Sequence, residues 1–317
     1  MRFSVWPTTA QSWEDFYDVA AHAGRTGWDG IWAADHFMPA TSAVDRPMLE
    51  CFTILSALAA LVPRLRIGSL VAGNTYRHPA VLANMVATLD HVSGGRVVLG
   101  MGAGWQENEH AAYGIDFSDV PGRLARLEEA CAVVRHLLDD TRSDFDGRFY
   151  TLSDARLEPK PVQQHLPLLV GGSGERVTLR IAARWADQWN TWGLPEVLAA
   201  KSAVLDRHCE SIGRDPAGIV RSAQVLMDLS GAPKAYDMPY RRAYPTAAGD
   251  ATELQDVLRA YEEAGVEEFI LPDWNLGTGS GRRDTLDRFM EEVAAPFRPH
   301  EVGPQAEGSR QAPRIHL

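Results

Sequence analysis

Two kinds of apolar pattern alternate along the first hundred residues. Short runs rich in β-branched and aromatic side chains predict strands, whereas longer runs with apolar residues every three or four positions predict helices. The predicted strands span residues 2–5, 30–33, 66–72 and 97–101, and the predicted helices span residues 12–23, 50–62 and 79–92. Strands that alternate with helices pack as parallel strands joined by right-handed crossovers.

The second half of the chain repeats this cycle four more times. Strands are predicted at residues 168–170, 188–190, 219–227 and 268–271, and helices at 122–139, 175–185, 195–212, 251–264 and 285–295. Eight strand–helix units predict an α/β protein of the (β/α)₈ TIM-barrel class. A doubly wound open sheet is the alternative, but its GxGxxG fingerprint does not follow the first strand.

Two segments interrupt the cycle. Residues 140–165, after the fourth strand, are an insertion for which the Asp146-Gly147 turn signal suggests a hairpin. Residues 228–250, after the seventh strand, form a long loop that is either a lid over a site or a disordered excursion. We expect one domain over residues 1–298 and a loose polar tail over residues 299–317.

Composition excludes several classes of protein. The 317 residues are 45% hydrophobic and 23% charged, which is ordinary for a globular domain, and the formal net charge of −11 predicts no nucleic-acid or membrane-surface binding. The three cysteines are far apart, which predicts a reducing, cytoplasmic setting. The N-terminal sequence lacks a signal-peptide core, and no apolar run is long enough to span a membrane.

Candidate chemistry collects where strands end, because barrel enzymes place their sites at the carboxyl ends of the strands. The stretch at residues 94–110 is the richest: a strand ends in Gly100, Gly102 and Gly104, and aromatic and ionisable residues follow. Glycines at these positions allow a sharp turn or a close approach to a flat ligand. The candidates at the strand ends are Trp6, Asp35, His36, Ser69, Asn74, Arg77, His78, Gly102, Trp105, Glu107, Asn108, Glu109, His110, residues 171–174, Asn190, Trp192, Asp273, Trp274 and Asn275.

Each of these sets has an ordinary structural alternative. The aromatic residues suit a flat ligand such as a flavin, but any one tryptophan could simply fill the barrel. The glycines at residues 171–174, before a predicted helix, suit phosphate, with Arg176 and Arg180 nearby, or form a plain turn. His36 is a candidate general acid or base or a structural hydrogen-bonding residue.

A metal site is the weakest of these interpretations. Glu107 and His110 lie three residues apart and could join Asp35 or His36 around an ion. The sequence lacks HExxH or another recognised ligand spacing, so we expect no metal.

With these residues in place, the chain resembles the bacterial-luciferase-like superfamily of flavin and deazaflavin oxidoreductases. The likeness covers roughly residues 1–298 and is strongest in GIWAADHF at 30–37, in residues 73–105, which begin GNTYRHP and end GAGW, in residues 169–190 and in EEFILPDW at 267–274. The sequence of residues 73–105 is most similar to the branch of the superfamily that depends on coenzyme F-420.

The resemblance implies a tricyclic ring in the mouth of the barrel. It implies that Asp35 and His36 lie near the ring, that Ala103, Gly104 and Asn108 touch it, and that residues 69–71 form a bulge behind it, where family members often carry a non-proline cis peptide. The resulting cofactor-binding set is Asp35, Ser69, Leu70, Val71, Asn74, Ala103, Gly104, Asn108, Gly171, Gly172, Ser173 and Gly174, with the last four at the cofactor phosphate. The substrate pocket is predicted to contain Trp6, Trp105, Trp192 and Trp274.

Trp105 departs from the family pattern. The sugar-phosphate dehydrogenases of this superfamily carry a catalytic glutamate at this position, and an indole cannot transfer a proton. The role would fall to His36 first and to Glu107 or His110 next, with Glu109 a further candidate, or no protein acid is needed. The change argues against a sugar-phosphate substrate and favours a flat or apolar one.

The leading hypothesis is hydride transfer between F-420 and a small organic substrate, by oxidation of an alcohol or amine or by reduction of a C=C or C=N bond. The alternatives are a monooxygenase that uses reduced FMN and O₂, a non-catalytic flavin-binding protein, and an unrelated metal-dependent barrel. The anionic tail of F-420 calls for positive charge at the mouth, for which the candidates are Arg77, Lys160, Lys234, Arg241, Arg242, Arg282 and Arg283. Members of the superfamily are often homodimers, which is the partner expected here.

Overall fold

Eight parallel strands close into a barrel in the computed structural model, which describes residues 1–40, 45–232 and 244–298. The described residues contain thirteen strands, of which these eight are a part. In chain order the thirteen are β1 (Arg2–Trp6), β2 (Gly30–Ala33), β3 (Arg66–Ser69), β4 (Ala72–Gly73), β5 (Val97–Gly102), β6 (Ser143–Asp146), β7 (Thr151–Ala155), β8 (Leu168–Gly171), β9 (Gln188–Trp192), β10 (Val220–Gln224), β11 (Leu226–Leu229), β12 (Thr246–Gly249) and β13 (Val266–Pro272). The barrel order is β3-β2-β1-β13-β10-β9-β8-β5, and pairing of Ile67 with Val97 closes it. The predicted TIM barrel is confirmed.

Helices cover the outside of the barrel. They are α1 (Trp13–Arg25), α2 (Cys51–Leu61), α3 (Pro79–Ser93), α4 (Glu107–Tyr113), α5 (Val120–Asp139), α6 (Thr178–Trp185), α7 (Pro195–Ser211), α8 (Ala251–Glu263) and α9 (Gly279–Arg288). A π-helical turn at Phe289–Ala294 and a 3₁₀ turn at Ala295–Phe297 continue α9. No helix in the described ranges is both long and apolar enough to cross a bilayer.

Several local expectations need correction. The predicted strand at 66–72 is broken into β3 and β4, and the one at 219–227 is broken into β10 and β11. In the insertion after the fourth barrel strand, β6 and β7 form an antiparallel hairpin around the predicted turn. The helix predicted at 285–295 begins at Gly279, the one predicted from residue 175 begins at Thr178, and α4 was not predicted.

The long loop of residues 228–250 is anchored at both ends. β11 pairs in parallel with β12, so Leu226 lies opposite Thr246 and Leu229 opposite Gly249. Residues 233–243 between them, and the tail at 299–317, lie outside the described residues. The lid and tail expectations therefore remain predictions.

The lower barrel interior holds one buried carboxylate. Glu268 on β13 is fully buried and accepts hydrogen bonds from Ser4 Oγ at 2.7 Å, Gln188 Nε2 at 2.8 Å, and Trp32 Nε1 and Arg66 Nη1 at 3.1 Å. Burial by itself raises the pKa of this carboxyl, but the nearby guanidiniums and these donors outweigh burial and lower the pKa. The network ties together strands from around the barrel.

We expect Glu268→Ala to lower the free energy of unfolding by about 3–5 kcal/mol, because it leaves the Arg66 guanidinium and three other donors without their acceptor. Glu267→Ala, on the exposed face of the same strand, is the matched control and should change it by less than about 0.5 kcal/mol. Urea denaturation measures both.

The pH dependence follows from the lowered native pKa of Glu268. A depressed carboxyl pKa contributes stability above the unfolded value, near pH 4.3, and that contribution is lost as the pH falls through the native pKa. The stability difference between the wild type and Glu268→Ala should therefore shrink below that pH. A difference that stays constant or grows on acidification contradicts this account.

Candidate active site

A cavity of about 670 Å³ occupies the mouth of the barrel at the carboxyl ends of the strands. This volume is typical of small-molecule sites, and this is the end at which barrel enzymes bind their ligands. The described part of the lining is rich in tryptophan, glycine and hydroxyl residues and contains no lysine or arginine. Its ionisable side chains are those of Asp35, His36, Tyr76 and Tyr244.

The break between β3 and β4 forms part of the cavity wall. Ser69 Oγ accepts a hydrogen bond from Gly100 N and donates one to Gly100 O, at 3.1 and 2.9 Å, which ties the break to β5. The peptide bond between Leu70 and Val71 is cis, at the position where the family resemblance implies one. Leu70 and Val71 line the cavity, whereas Ser69 is buried behind them.

Three glycines provide the space for this break. A Cβ at Gly102 would lie 2.6 Å from a methyl of Val71, one at Gly171 would lie 2.9 Å from its other methyl, and one at Gly100 would collide with the carbonyl oxygen of Ser69. The spaced glycines at the end of β5 therefore accommodate the neighbouring strand. Gly104 does allow a sharp turn, with φ of +79°.

We expect Gly100→Ala to destabilise the protein by about 1–3 kcal/mol, because its added methyl overpacks the contact with Ser69. Gly218→Ala is the matched control, since a Cβ there meets nothing within 4 Å and φ is not positive. Its effect should stay within about 0.5 kcal/mol. Equal unfolding free energies for the two variants would show that the break does not need this space.

His36 lies on the cavity wall and is held from behind by a carboxylate. Its Nδ1 lies 2.8 Å from Glu109 Oε1, and Glu109 Oε2 accepts the backbone N–H of Phe37, also at 2.8 Å. The Tyr76 hydroxyl donates a further hydrogen bond to Glu109. Trp105, 61% exposed at the rim, meets the His36 ring edge to face.

The surroundings keep Glu109 ionised and Tyr76 protonated. Burial by itself raises the pKa of the Glu109 carboxyl, but the hydrogen bonds from His36, Tyr76 and Phe37 outweigh it and lower the pKa. Burial and the adjacent Glu109 carboxylate raise the pKa of Tyr76 well above its usual range.

Asp35, which directly precedes His36, makes a separate set of contacts. Arg77 binds both of its carboxylate oxygens, at 2.6 and 3.0 Å, and also binds Glu50, while Gly73 N donates to Asp35. Burial raises the pKa of Asp35 despite this pairing. Asp35 lines the cavity as an anchor between β2 and the segment after β4.

The structure does not bring Glu107 and His110 to the cavity wall. Glu107 is exposed, and His110 is buried, with its two ring nitrogens 2.7 Å from Gln106 O and Thr75 Oγ1. Within the described ranges no three His, Cys, Asp or Glu side chains come together in a group that could hold a metal ion. A catalytic role for Glu107 or His110 remains a sequence prediction without a geometric basis.

Two further predicted cofactor contacts, Asn74 and Asn108, do not line the cavity. Asn108 donates to Pro39 O at 3.2 Å and accepts from Glu109 N at 3.0 Å, so it links the segment after β2 to α4. Asn74 is buried against Tyr150, and its Oδ1 has no partner within the described residues. Ala103 and Gly104, by contrast, line the cavity as predicted.

Aromatic rings form another part of the cavity wall. Trp6 lies 4.8 Å from Trp274 and 5.8 Å from Trp192 between ring centroids, and Tyr244 contacts both Trp192 and Trp274. Gln224, also in the lining, is 5% exposed, and its Oε1 has no partner among the described residues. The predicted tryptophan set is thus brought together, with Trp105 apart from the others at the rim.

The glycines that follow β8 are exposed at the edge of the cavity. Gly171, Gly172 and Ser173 line it, together with Thr178 at the start of α6, whereas Gly174 does not. Gly172 has φ of +127°, a conformation that favours glycine. This stretch presents backbone next to a helix start, the arrangement that suits an anionic group. Arg176 is exposed nearby, and Arg180 is paired with Glu128.

Most of the lysine and arginine side chains proposed to bind the anionic tail of F-420 are paired with other protein groups. Arg77 is paired with Asp35, Arg282 with buried Asp273, and Arg283 with Asp18, while Lys160 donates to backbone carbonyls near the end of α5. Lys234, Arg241 and Arg242 lie outside the described residues.

Tyr76 and Gln224 are absent from the sequence-predicted set, and Glu109 is there only as a further candidate. The partner atoms of Glu109 come from residues 36, 37 and 76, far away along the chain, so no local spacing identifies it. Its position two residues after Glu107, in a polar stretch, is the only signal.

Comparison with known proteins gives consistent results. The model of the family described as luciferase-like monooxygenase matches residues 1–230. An F-420-dependent glucose-6-phosphate dehydrogenase of Kineococcus radiotolerans is 32% identical, over 89% of this chain and 92% of that protein. The pyrimidine monooxygenase RutA of Cronobacter sakazakii is 30% identical, over 78% of this chain and 76% of that protein.

A solved structure shows the same fold. An F-420-dependent secondary alcohol dehydrogenase, in complex with an F-420-acetone adduct, superposes with a TM-score of 0.80 at 22% identity. The match covers 93% of this chain and 98% of that one.

Proposed function

Because the chain belongs to the luciferase-like monooxygenase family, we propose that it is an oxidoreductase that transfers a hydride between coenzyme F-420 and a small organic substrate. Relatives named for F-420 chemistry include the dehydrogenase that aligns with nearly the whole chain. Fold alone does not fix function, so the proposal depends on the site.

The residues present fit such a cofactor. Gly102, Ala103 and Gly104 carry no side chain larger than a methyl group, and together with Leu70 and Val71 they provide a wall on which a flat ring can lie. The exposed backbone at residues 171–173 would hold its phosphate. When bound, the deazaflavin supplies hydride transfer, and the protein binds and orients the substrate, excludes water and moves the accompanying proton.

One observation carries the proposal: His36 lies on the cavity wall and is backed by Glu109. Oxidation of an alcohol or amine releases a proton along with the hydride, and reduction of a C=N bond consumes one. A histidine at the wall performs that exchange. The tryptophan wall provides an apolar face for the substrate.

A second candidate is a monooxygenase that uses reduced FMN and O₂. It is favoured by the likeness to RutA and by the lack of lysine and arginine in the described lining, since FMN has no polyglutamate tail to bind. A non-catalytic flavin-binding protein is a further alternative.

The cofactor can be identified by titrating the purified protein with F-420, FMN and reduced FMN while following fluorescence quenching. We expect micromolar or tighter binding of F-420 and weaker binding of FMN, because the site is proposed to hold the deazaflavin. The opposite preference, with oxygen consumption by reduced FMN, contradicts the proposal. Binding without turnover of any substrate tested indicates a flavin-binding protein.

Turnover tests the role of His36. The test substrates for the F-420-loaded protein are 1-phenylethanol, cyclohexanol, 1-phenylethylamine and glucose 6-phosphate. Turnover is measured as the loss of F-420 absorbance. We expect His36→Asn to lower kcat about 10²–10⁴-fold on the probe that is oxidised, because it removes the proton acceptor. His136→Asn is the matched control, since His136 makes the same 2.8 Å Nδ1–carboxylate contact with Asp140 on the outer surface. Equal kcat values for the two variants would exclude His36 from proton transfer.

A homodimer is the proposed assembly, formed through the outer face of α2 and α3. Leu61, Val81 and Val92 there are each at least half exposed, and the two helices flank a groove of about 340 Å³. Neither helix carries a lysine, an arginine or an exposed carboxylate. The one charged side chain in the described groove lining is Glu50, which is paired with Arg77. Since the chain has a net charge of −11, a face with so little charge lets a second copy approach with little like-charge repulsion.

The assembly can be tested by light scattering with size-exclusion chromatography. Ser56→Glu with Thr88→Glu should shift a dimer of the wild type to monomer, because two exposed positions of this face become charged. The matched control is a pair of glutamates at exposed sites on α7, at Ala200 and Ala203, which should leave the mass unchanged. A wild-type monomer refutes the assembly but not the chemistry.

The remaining proposals concern compartment and partner. All three cysteines are buried free thiols, which agrees with a reducing cytoplasm. The partner of the site is a small organic molecule that fits a cavity of about 670 Å³.

A further inference from the structure

Glu109 has a role that goes beyond a structural contact. We propose that Glu109 is the positioning residue of the site: it holds His36 in the tautomer with its proton on Nδ1, so that Nε2 is free to accept a proton in the cavity. This inference rests on the proposed function. Glu109 itself does not line the cavity and acts only through His36.

The contacts leave Glu109 little freedom to turn. Its side chain is fully buried, Oε1 lies 2.8 Å from His36 Nδ1 and accepts from Tyr76, and Oε2 accepts from Phe37 N. A carboxylate held by three donors from two separate segments is fixed in orientation. Because an ionised carboxylate can only accept a hydrogen bond, the contact with His36 requires the proton to be on Nδ1.

The other nitrogen of His36 faces a different environment. Its Nε2 makes no hydrogen bond to a described residue and is accessible to solvent. The His36 side chain is 22% exposed and lies on the cavity wall. The ring therefore presents its acceptor nitrogen to the side from which a substrate arrives.

The neighbouring charges do not replace Glu109. Asp35, adjacent in sequence, shares the guanidinium of Arg77 with Glu50, so these three form a separate group. Tyr76 is a neutral donor, and Trp105 meets His36 through an aromatic edge. Glu109 is thus the described carboxylate in direct contact with the imidazole.

In the proposed reaction the hydride and the proton leave the substrate for different acceptors. In the oxidation of an alcohol, the C–H bond breaks and its electron pair leaves with hydrogen as hydride to the oxidised deazaflavin. The hydroxyl proton passes to His36 Nε2, and the carbonyl forms. Glu109 then faces a doubly protonated imidazolium and stabilises its charge. An amine follows the same course and gives an imine, and reduction reverses each step.

The tautomer can be observed in the protein without cofactor. Long-range ¹H–¹⁵N NMR of uniformly labelled protein, at a pH where the imidazole is neutral, distinguishes protonated from bare ring nitrogens. His36→Asn assigns the His36 signals among the ten histidines. We expect the proton on Nδ1 in the wild type. A proton on Nε2 overturns the proposal whether or not any variant folds.

Glu109→Gln removes the requirement that the His36 proton be on Nδ1, because a side-chain amide can donate to Nδ1 as well as accept from it. We expect this nearly isosteric variant to move His36 toward the Nε2–H form and to lower kcat about 10²-fold or more. KM and the affinity for F-420 should change less than about threefold, because Glu109 does not line the cavity. Asp140→Asn, at the exposed His136 contact, should leave kcat and the His36 signals unchanged.

The outcomes separate this inference from the proposed function. An unchanged His36 tautomer in Glu109→Gln, or an unchanged kcat, refutes the positioning role even if F-420 chemistry is established. A wild type that binds FMN instead of F-420 refutes the proposed function, while the tautomer measurement still tests Glu109. Loss of F-420 affinity equal to the loss of kcat shows a structural role and also overturns the inference.

Discussion

The site depends on close packing between the break that separates β3 from β4 and three glycines on neighbouring strands. A regular third strand would continue from Ser69 into residue 72, but the chain turns at Leu70 and Val71, and Val71 fills the space that Gly100, Gly102 and Gly171 leave open. Those glycines lie on β5 and β8, so the break is supported by barrel closure. Protein interiors pack so densely that a single added methyl at such a contact is felt.

The barrel divides its interior into three levels with different chemistry. Glu268 binds polar groups of several strands below, apolar side chains such as Leu169 and Ile270 fill the middle, and the cavity opens above them. Buried charge below is tolerated because donors surround it. The middle layer separates that charge from the cavity, which His36 lines.

Ion pairs lie at and behind the cavity lining, and aromatic rings form another part of the lining itself. Asp35 and Arg77 compensate each other, as Asp273 and Arg282 do, whereas Glu109 is paired with a side chain whose protonation changes during the proposed reaction. The indole at position 105 adds an exposed apolar surface beside that histidine. A solved structure at 22% identity shares this fold, and a fold alone does not fix function.

The sequence by itself determined the architecture, because the alternation of strand and helix patterns is a local property that recurs eight times and because right-handed crossovers leave few topologies. It also placed His36, Ala103, Gly104 and the tryptophans at strand ends, which barrel closure gathers around one mouth. Only the tertiary structure decided that Glu109 rather than Glu107 or His110 backs His36, since its partners come from a distant part of the chain. It also decided that the glycines of β5 make room for Val71, because such packing depends on which strands become neighbours and leaves no local pattern in the sequence.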